Sequence, residues 1–256
     1  MSEAVRTGLV DGVFRIEMAR PEKKNALTAA MYQSMADALA AADADPAVRV
    51  ILIHGSGGSF TAGNDLADFL ATPPLDESAP VFRFIKGFAA LEKPFVAAVE
   101  GVAVGVGTTL LLHCDLAYAG ASARFALPFA NLGLTPEAAS SLLLPLRAGY
   151  ARAAELLMLG EVFSAQTALE LGIVNTVLPD GQVLDHALER CRKLTTQPAA
   201  SLRLTKQLMK RSQQALIDET MRIEADVFRQ RLVSPEAKEA FAAFFEKRQP
   251  DFSRFG

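Results

Sequence analysis

Apolar and polar positions first alternate between residues 13 and 18, where Val13, Ile16 and Met18 are interleaved with Arg15 and Glu17. That alternation predicts a half-exposed strand. Beyond the polar stretch Arg20-Pro21-Glu22-Lys23-Lys24, Leu27, Met31, Met35, Leu39 and Ala42 recur at helical spacing, so a helix is expected to begin near Thr28. Residues 48–53 are short and β-branched and stop at Gly55-Ser56-Gly57-Gly58, a strand entering a loop. The proline-rich polar run 71–80 reads as the most flexible loop. A helix over 81–91, a buried strand over 95–99, an apolar helix holding 110–112 and a brief strand over 116–119 follow. Strand and helix in alternation predict an α/β protein with mainly parallel strands joined by crossover helices.

From about Pro198 the strand signal stops. Leu202, Met209, Leu216, Ile223, Val227, Phe241, Phe244 and Phe245 punctuate long charged helices. Residues 1–197 are therefore read as the α/β core. Residues 198–256 are read as a helical appendage whose phenylalanine-rich end packs on that core or on a second subunit.

Half of the 256 residues are hydrophobic, which is ample for a buried core and excludes disorder as the general state. With 26 basic against 29 acidic residues, no basic footprint points to a nucleic-acid partner. No apolar run approaches the ~20 residues of a membrane-spanning helix, and the first residues lack a basic-then-apolar secretory pattern. Cys114 and Cys191 cannot form a disulfide framework and read as reduced, buried thiols. His54, His113 and His186 lack ligand-like spacing, so no metal site is expected. The expectation is a soluble, cytoplasmic protein.

Three segments hold candidate chemistry. Phe60-Thr61-Ala62-Gly63-Asn64-Asp65-Leu66 is a glycine-bearing turn into a short helix, and Gly101-Val102-Ala103-Val104-Gly105-Val106-Gly107 follows a buried strand and opens a helix. Both place unpaired backbone N–H groups at helix starts, where anions are favoured. Two such turns face to face would suit a developing oxyanion. Taken singly, each reads first as a strand-to-helix turn whose glycines serve packing. The glycines at 101, 105 and 107 do not fit a dinucleotide-binding spacing.

The third segment runs from Pro128 to Ala138, through Thr135-Pro136-Glu137. Glu137 is the lone carboxylate between Asp115 and Glu155 and has Leu132, Leu134, Leu142, Leu143 and Leu144 for company. Desolvated there, it would have a raised pKa and could serve as a general base. The competing reading is an ordinary helix start, with Thr135 as N-cap, Pro136 at the first position and Glu137 in the first turn. Ser234-Pro235-Glu236-Ala237 repeats that grammar on a charged helix, without the apolar company.

These segments, in this order, resemble the crotonase superfamily of enoyl-CoA hydratases and isomerases. Further resemblance lies in Arg20-Pro21, Asn25-Ala26-Leu27, Ala98-Val99-Glu100-Gly101, Cys114 to Ala119, Leu171-Gly172-Ile173-Val174-Asn175 and Phe245-Glu246-Lys247-Arg248. The resemblance implies a spiral of ββα units with C-terminal helices that build a homotrimer or a dimer of trimers. It also implies an acyl-CoA substrate, with CoA as part of that substrate and no separate cofactor. Carried over by position, the oxyanion-hole amides belong to Asn64 and Val106. Substrate and CoA contacts would fall at Lys24, Ala26, Ala62, Asp65, Leu66, Val104, Pro128 and Phe129, with Lys247 reaching a neighbouring subunit's CoA. Solvated surface is the plain alternative for both lysines.

The departures bear on the reaction. Where hydratases carry two glutamates, this chain has Thr109 and Phe129, neither able to move a proton. The segment 128–141 instead is similar to peroxisomal-type Δ3,Δ2-enoyl-CoA isomerases, with their single glutamate at Glu137. The C-terminal Asp251-Phe252-Ser253-Arg254-Phe255-Gly256 has no peroxisomal ending. The expected activity is a fatty-acid β-oxidation isomerase that shifts a 3-enoyl thioester to the 2-enoyl form. The alternatives are a hydratase or thioester hydrolase using Glu137 and water, and a non-catalytic acyl-CoA binding protein in which Glu137 only caps its helix.

Overall fold

Residues Val5–Val10 (β1) and Val13–Met18 (β2) form an antiparallel hairpin with Val10 opposite Val13. Its two-residue turn, Asp11-Gly12, has φ of 50° and 77°. Asp-Gly supplies that positive pair at low cost, and its twist matches the strands it joins. The alternation over 13–18 finds β2 but passes over β1, which has an exposed outer end. The structure, a computed structural model, describes residues 2–255; Met1 and Gly256 lie outside them.

After β2 the chain enters α1 (Ala29–Ala44), capped by the Thr28 hydroxyl, which accepts from Met31 N–H at 3.3 Å. It returns as β3 (Val50–Gly55), parallel to β2. Three successive units then share one plan. β3 leads to a short extended stretch at Thr61 and into α2 (Leu66–Ala71). After α3 (Pro80–Ala90), β4 (Phe95–Val99) leads to β5 (Val102–Val104) and α4 (Val106–Thr109). β6 (Leu116–Gly120) leads to β7 (Arg124–Ala126) and, after a longer loop, to α5 (Ser140–Ala148). The chain continues through α6 (Tyr150–Ala154), β8 (Phe163–Ser164), α7 (Ala165–Glu170) and β9 (Thr176–Leu178).

The first strand of each unit joins a six-stranded sheet in the order β1-β2-β3-β4-β6-β9, parallel throughout except for the hairpin. The second strand of each unit joins a smaller layer: Thr61 bridges Ala103, and β5 pairs with β7, which pairs with β8. Because these second strands lie side by side, the turns that follow them emerge next to one another. This is the ββα spiral expected from the resemblance.

The large sheet is buried on both faces. Val50, Leu52, Val96, Ala98 and Tyr118 meet Val183, Ala187 and Cys191 of α8 (Val183–Thr195). The alternate residues Ile51, Ile53, Ala97 and Val99 face the main core with Met31, Met35, Leu39, Phe84 and Phe88. Two-sided burial is why these strands are apolar at consecutive positions. The loop reading at 71–80 corresponds to the irregular segment between α2 and α3. The apolar helix at 110–112 is a 3-10 turn that prolongs the four-residue α4.

Beyond α8 every regular element is helical: α9 (Ala199–Lys210), α10 (Gln214–Leu232) and α11 (Pro235–Glu246). α9 is tied to the sheet by Lys206, 5 % exposed, whose ammonium donates to Asp115 and to the Lys93 carbonyl, both at 2.8 Å. Asp115 also accepts from Phe95 N–H at 2.8 Å. Removing one partner of a pair withdrawn from water leaves the other unpaired. Lys206→Ala is therefore expected to lower the unfolding free energy by about 3 kcal/mol, measured from chemical denaturation midpoints; an unchanged midpoint would contradict this tether.

Candidate active site

Two turns of the spiral meet at one place because glycine allows them to. Gly63 (φ 85°) lies so close to β5 that a Cβ would stand 2.9 Å from the Val104 carbonyl oxygen, and a Cβ on Gly107 would stand 2.5 Å from Thr61. Gly105, with φ 55° and ψ −117°, turns the chain from β5 into α4 in a conformation that side-chain-bearing residues avoid. Leu27 N–H donates to the Gly63 carbonyl and Asp65 N–H to the Leu27 carbonyl, so the Asn64 N–H between them faces the opposite way. Val106 N–H opens α4, where no carbonyl precedes it in helical register. Neither amide has an acceptor among the described residues.

Asn64 and Val106 both line a cavity of about 540 Å³. Of the predicted contact positions, Ala26, Ala62, Asp65 and Leu66 line it, as do Val104, Pro128 and Phe129. Lys24 does not; its left-handed φ of 48° ends a 3-10 turn, and its neighbour Lys23 is the lysine on the lining. Lys247 is exposed at the end of α11 (φ 55°) and off the lining too, whereas Phe244 and Phe245 are on it. Asp65 has structural work. It caps α2 through the N–H groups of Ala67 and Asp68 and pairs with Arg20 at 2.7 Å. Buried Asn25 accepts from Arg20 N–H and donates to the Ser56 and Ser59 carbonyls, fixing the 20–26 loop beside the cavity.

The helix-start reading of Thr135-Pro136-Glu137 fails in the structure. α5 begins only at Ser140, and Ala138 and Ala139 before it have φ of 58° and 55°. Thr135 caps nothing, and its hydroxyl is buried without a partner. The comparison segment is a true cap: Ser234 Oγ accepts from Ala237 N–H at 3.2 Å and opens α11. The two glutamates diverge accordingly. Glu236, held by its own N–H and by Arg231 at 3.1 Å, has its pKa lowered. Glu137 is 5 % exposed, its Oε1 has no hydrogen-bond partner, and burial pushes its pKa up to about 8. The negative charge of Glu224 adds to that rise, and the Thr109 hydroxyl opposes it in part.

Two buried neighbours tie Glu137 to the paired amides, although it does not itself line the open cavity. Tyr32 of α1, its pKa raised by burial and by Glu137, donates its hydroxyl to the side-chain oxygen of Asn64. Thr109 is buried beside Glu137, with its hydroxyl 3.4 Å from the Val106 carbonyl oxygen. Leu134, three residues before Glu137, lines the cavity with Phe129, Phe69 and Phe228. The site therefore combines two free backbone donors, an apolar chamber and one buried carboxyl. Such a set can enolise a thioester and hold the resulting oxyanion.

Sequence reasoning missed Tyr32, Phe69, His113, Glu224 and Phe228. The first three sit inside apolar patterns that read as core. Glu224 and Phe228 were visible as a helical stripe with Ile217 and Leu232, in which a glutamate occupies a buried position. Among the described residues no cluster of three His, Cys, Asp or Glu side chains could hold a metal ion, and no helix is long and apolar enough to cross a membrane.

Residues 9–254 match the family model described as enoyl-CoA hydratase/isomerase. The chain is 35 % identical to 1,2-epoxyphenylacetyl-CoA isomerase of Escherichia coli (strain K12) over 99 % of both chains. It is 33 % identical to 2,3-dehydroadipyl-CoA hydratase of the same organism over 94 % of each. The solved structure of Pseudomonas aeruginosa OdaA is 48 % identical, with a TM-score of 0.93, covering 95 % of this chain and 99 % of that one.

A carboxyl whose folded pKa lies above its unfolded value makes folding less favourable as pH rises from about 4.5 towards 8, because only the unfolded chain ionises freely. Glu137→Gln removes that cost. The variant is expected to melt at the wild-type temperature near pH 4.5, several degrees higher near pH 8, and with a gain that levels off beyond. Equal melting curves at pH 8 would place the carboxyl in water.

Proposed function

The chain belongs to the enoyl-CoA hydratase/isomerase family, and within it we propose a Δ3,Δ2-enoyl-CoA isomerase in which Glu137 shuttles the proton. The observation that carries this reading is a buried carboxyl with one oxygen left without a partner, with Thr109 and Phe129 at the two positions where hydration would need acids. Adding water across a double bond takes one group to activate water and one to protonate C2. A 1,3 proton shift takes only one base, used twice.

The thioester carbonyl is held by the N–H groups of Asn64 and Val106. Glu137, ionised, removes a C2 proton from the 3-enoyl thioester; the electron pair left at C2 forms a C1=C2 bond and the carbonyl π pair moves onto oxygen, giving a dienolate that keeps its C3=C4 bond. Main-chain donors stabilise that oxygen, each by about 3–4 kcal/mol in comparable sites. Glu137 then returns the proton at C4, leaving the conjugated 2-enoyl thioester. Asn and Val are acceptable side chains there because only their backbones act, and Tyr32 fixes the Asn64 side chain to one side. Phe129, Leu134 and Phe228 keep the chamber apolar, which disfavours a competing attack by water.

Glu137→Gln is expected to reduce conversion of a 3-enoyl-CoA by at least about a hundredfold, followed by the absorbance of the conjugated product. Below pH 8 the wild-type kcat/KM should rise with pH as the carboxyl ionises. The decisive contrast uses a 2-enoyl-CoA: formation of a 3-hydroxyacyl-CoA, heavier by one water in the mass spectrum, would replace the isomerase reading with a hydratase.

The protein acts as a homotrimer or a dimer of trimers in this reading. Leu204, Leu208 and Met209 of α9 and Ile223 of α10 are about half exposed or more, as are Phe244 and Phe245 of α11, an apolar surface that a lone chain would leave in water. Light scattering should return three or six times the 27.4 kDa chain mass; a monomer at micromolar concentration would remove this part.

A further inference from the structure

Glu224 is a buried carboxyl that the reaction scheme leaves unused. It interrupts the apolar stripe of α10 between Ile217 and Phe228 and is 7 % exposed. Its Oε2 accepts from Ala139 N–H at 2.6 Å, and its Oε1 accepts from Ser141 N–H at 2.9 Å and from the Ser141 hydroxyl at 2.5 Å. These amides open α5, whose own N-cap residue, Ala139, has no side chain that could satisfy them. A carboxylate from 83 residues downstream does so instead.

The same contacts hold an unfavourable backbone. Ala138 and Ala139 both have left-handed φ, which alanine adopts only when its surroundings impose it. From one side His113, neutral because burial pushes its pKa down to about 3, donates Nε2–H to the Ala138 carbonyl at 2.7 Å. Glu224 takes the Ala139 amide on the other side. Released from that pair of contacts, the segment would be free to continue α5 backwards through Pro136, the helix start that its sequence suits. Glu137 would then point where a first-turn side chain points.

We infer that Glu224 is the positioning residue of the site: reaching across from α10, it clamps the Ala138–Ala139 turn and thereby sets the direction of the Glu137 carboxyl. This deepens the isomerase reading and rests on it. The clamp also acts through charge, because two carboxyls in a dry interior oppose each other's ionisation. The other groups that act on Glu137 are uncharged: the Tyr32 hydroxyl of α1 and the Thr109 hydroxyl of α4. His113, bonded to the adjoining residue, is neutral.

Glutamine at 224 has one acceptor and one donor where the carboxylate has two acceptors, so it cannot take both the Ala139 and Ser141 amides. In the full chain, Glu224→Gln is expected to lower kcat on a 3-enoyl-CoA about tenfold or more with KM within about threefold. It should also move the acid limb of the rate profile down by about half a pH unit or more. Ser141→Ala, which removes one of the three bonds and leaves the core untouched, should move both quantities the same way by less, and it decides the matter if Glu224→Gln does not fold. A substrate-free reading comes from melting curves. The pH at which the Glu137→Gln gain levels off should fall when Glu224→Gln is also present. Folded variants with wild-type kcat and an unmoved levelling-off pH would overturn the clamp. A wild-type chain inert towards 3-enoyl-CoA would overturn the isomerase reading alone, and the melting comparison would still decide for or against Glu224.

Discussion

A carboxyl withdrawn from water with an oxygen left unpartnered is costly, and much of the surrounding structure is arranged so that Glu137 stays that way. Glu236 shows the cheaper alternative within the same chain. Given a serine cap and an arginine, a glutamate in the same local sequence becomes an ordinary surface anion. Glu137 has neither. Its nearest charged influence is another carboxyl, and the hydroxyls around it belong to Thr109 and to Tyr32, which is already donated to Asn64. Keeping such a group is a loss of stability that makes physical sense where a proton must be taken up and given back near neutral pH.

The free amides of Asn64 and Val106 impose a different constraint, on backbone rather than side chains. Asn64 and Val106 offer N–H groups because their peptide planes are turned out of the hydrogen-bond ladders, Asn64 by alternation along the Leu27 bridge and Val106 by Gly105. The two turns can approach only because Gly63 and Gly107 have nothing to place between them. The side chains at the donor positions are therefore free to do other work, and Asn64 does: its amide oxygen receives Tyr32, which also feels Glu137. One buried tyrosine thus connects the donor side of the site with the carboxyl side.

This division explains how much of the protein is legible from its residues. Apolar strands buried on two faces and a helix with a threonine cap follow local rules, and β2, β3, β4, β6 and α1 lie where periodicity places them. β1 escapes because its outer half is exposed, although Asp11-Gly12 signals the hairpin. The two glycine turns are recognisable as helix starts with spare amides, but that they meet is a property of the spiral. Local grammar misleads at Thr135-Pro136-Glu137, where it favours a cap. What defeats the cap is not local: His113 comes from 25 residues upstream, and Glu224 from a helix more than 80 residues downstream. The resemblance to a known family singles out Glu137, which the structure buries where propensity favours a cap, but it carries Lys24 to a position whose neighbour, Lys23, lines the cavity.

The C-terminal helices consequently do more than offer an apolar surface. α10 sends Glu224 to the loop that carries Glu137 and, one turn later, Phe228 to the cavity wall, where it packs edge-on against Phe69 at 6.2 Å. α11 presses Ala237 against Gly133 so closely that any side chain at 133 would meet its backbone at 2.7 Å, and Arg231 donates to the Gly133 carbonyl at 3.1 Å. The loop from 133 to 141 is thus held at both ends by elements beyond residue 214. A change in how those helices pack, whether by mutation or by association with another chain, has a direct mechanical route to the buried Glu137 carboxyl. The α/β core carries the free amides of Asn64 and Val106, and the helical C-terminal region holds the loop that bears Glu137.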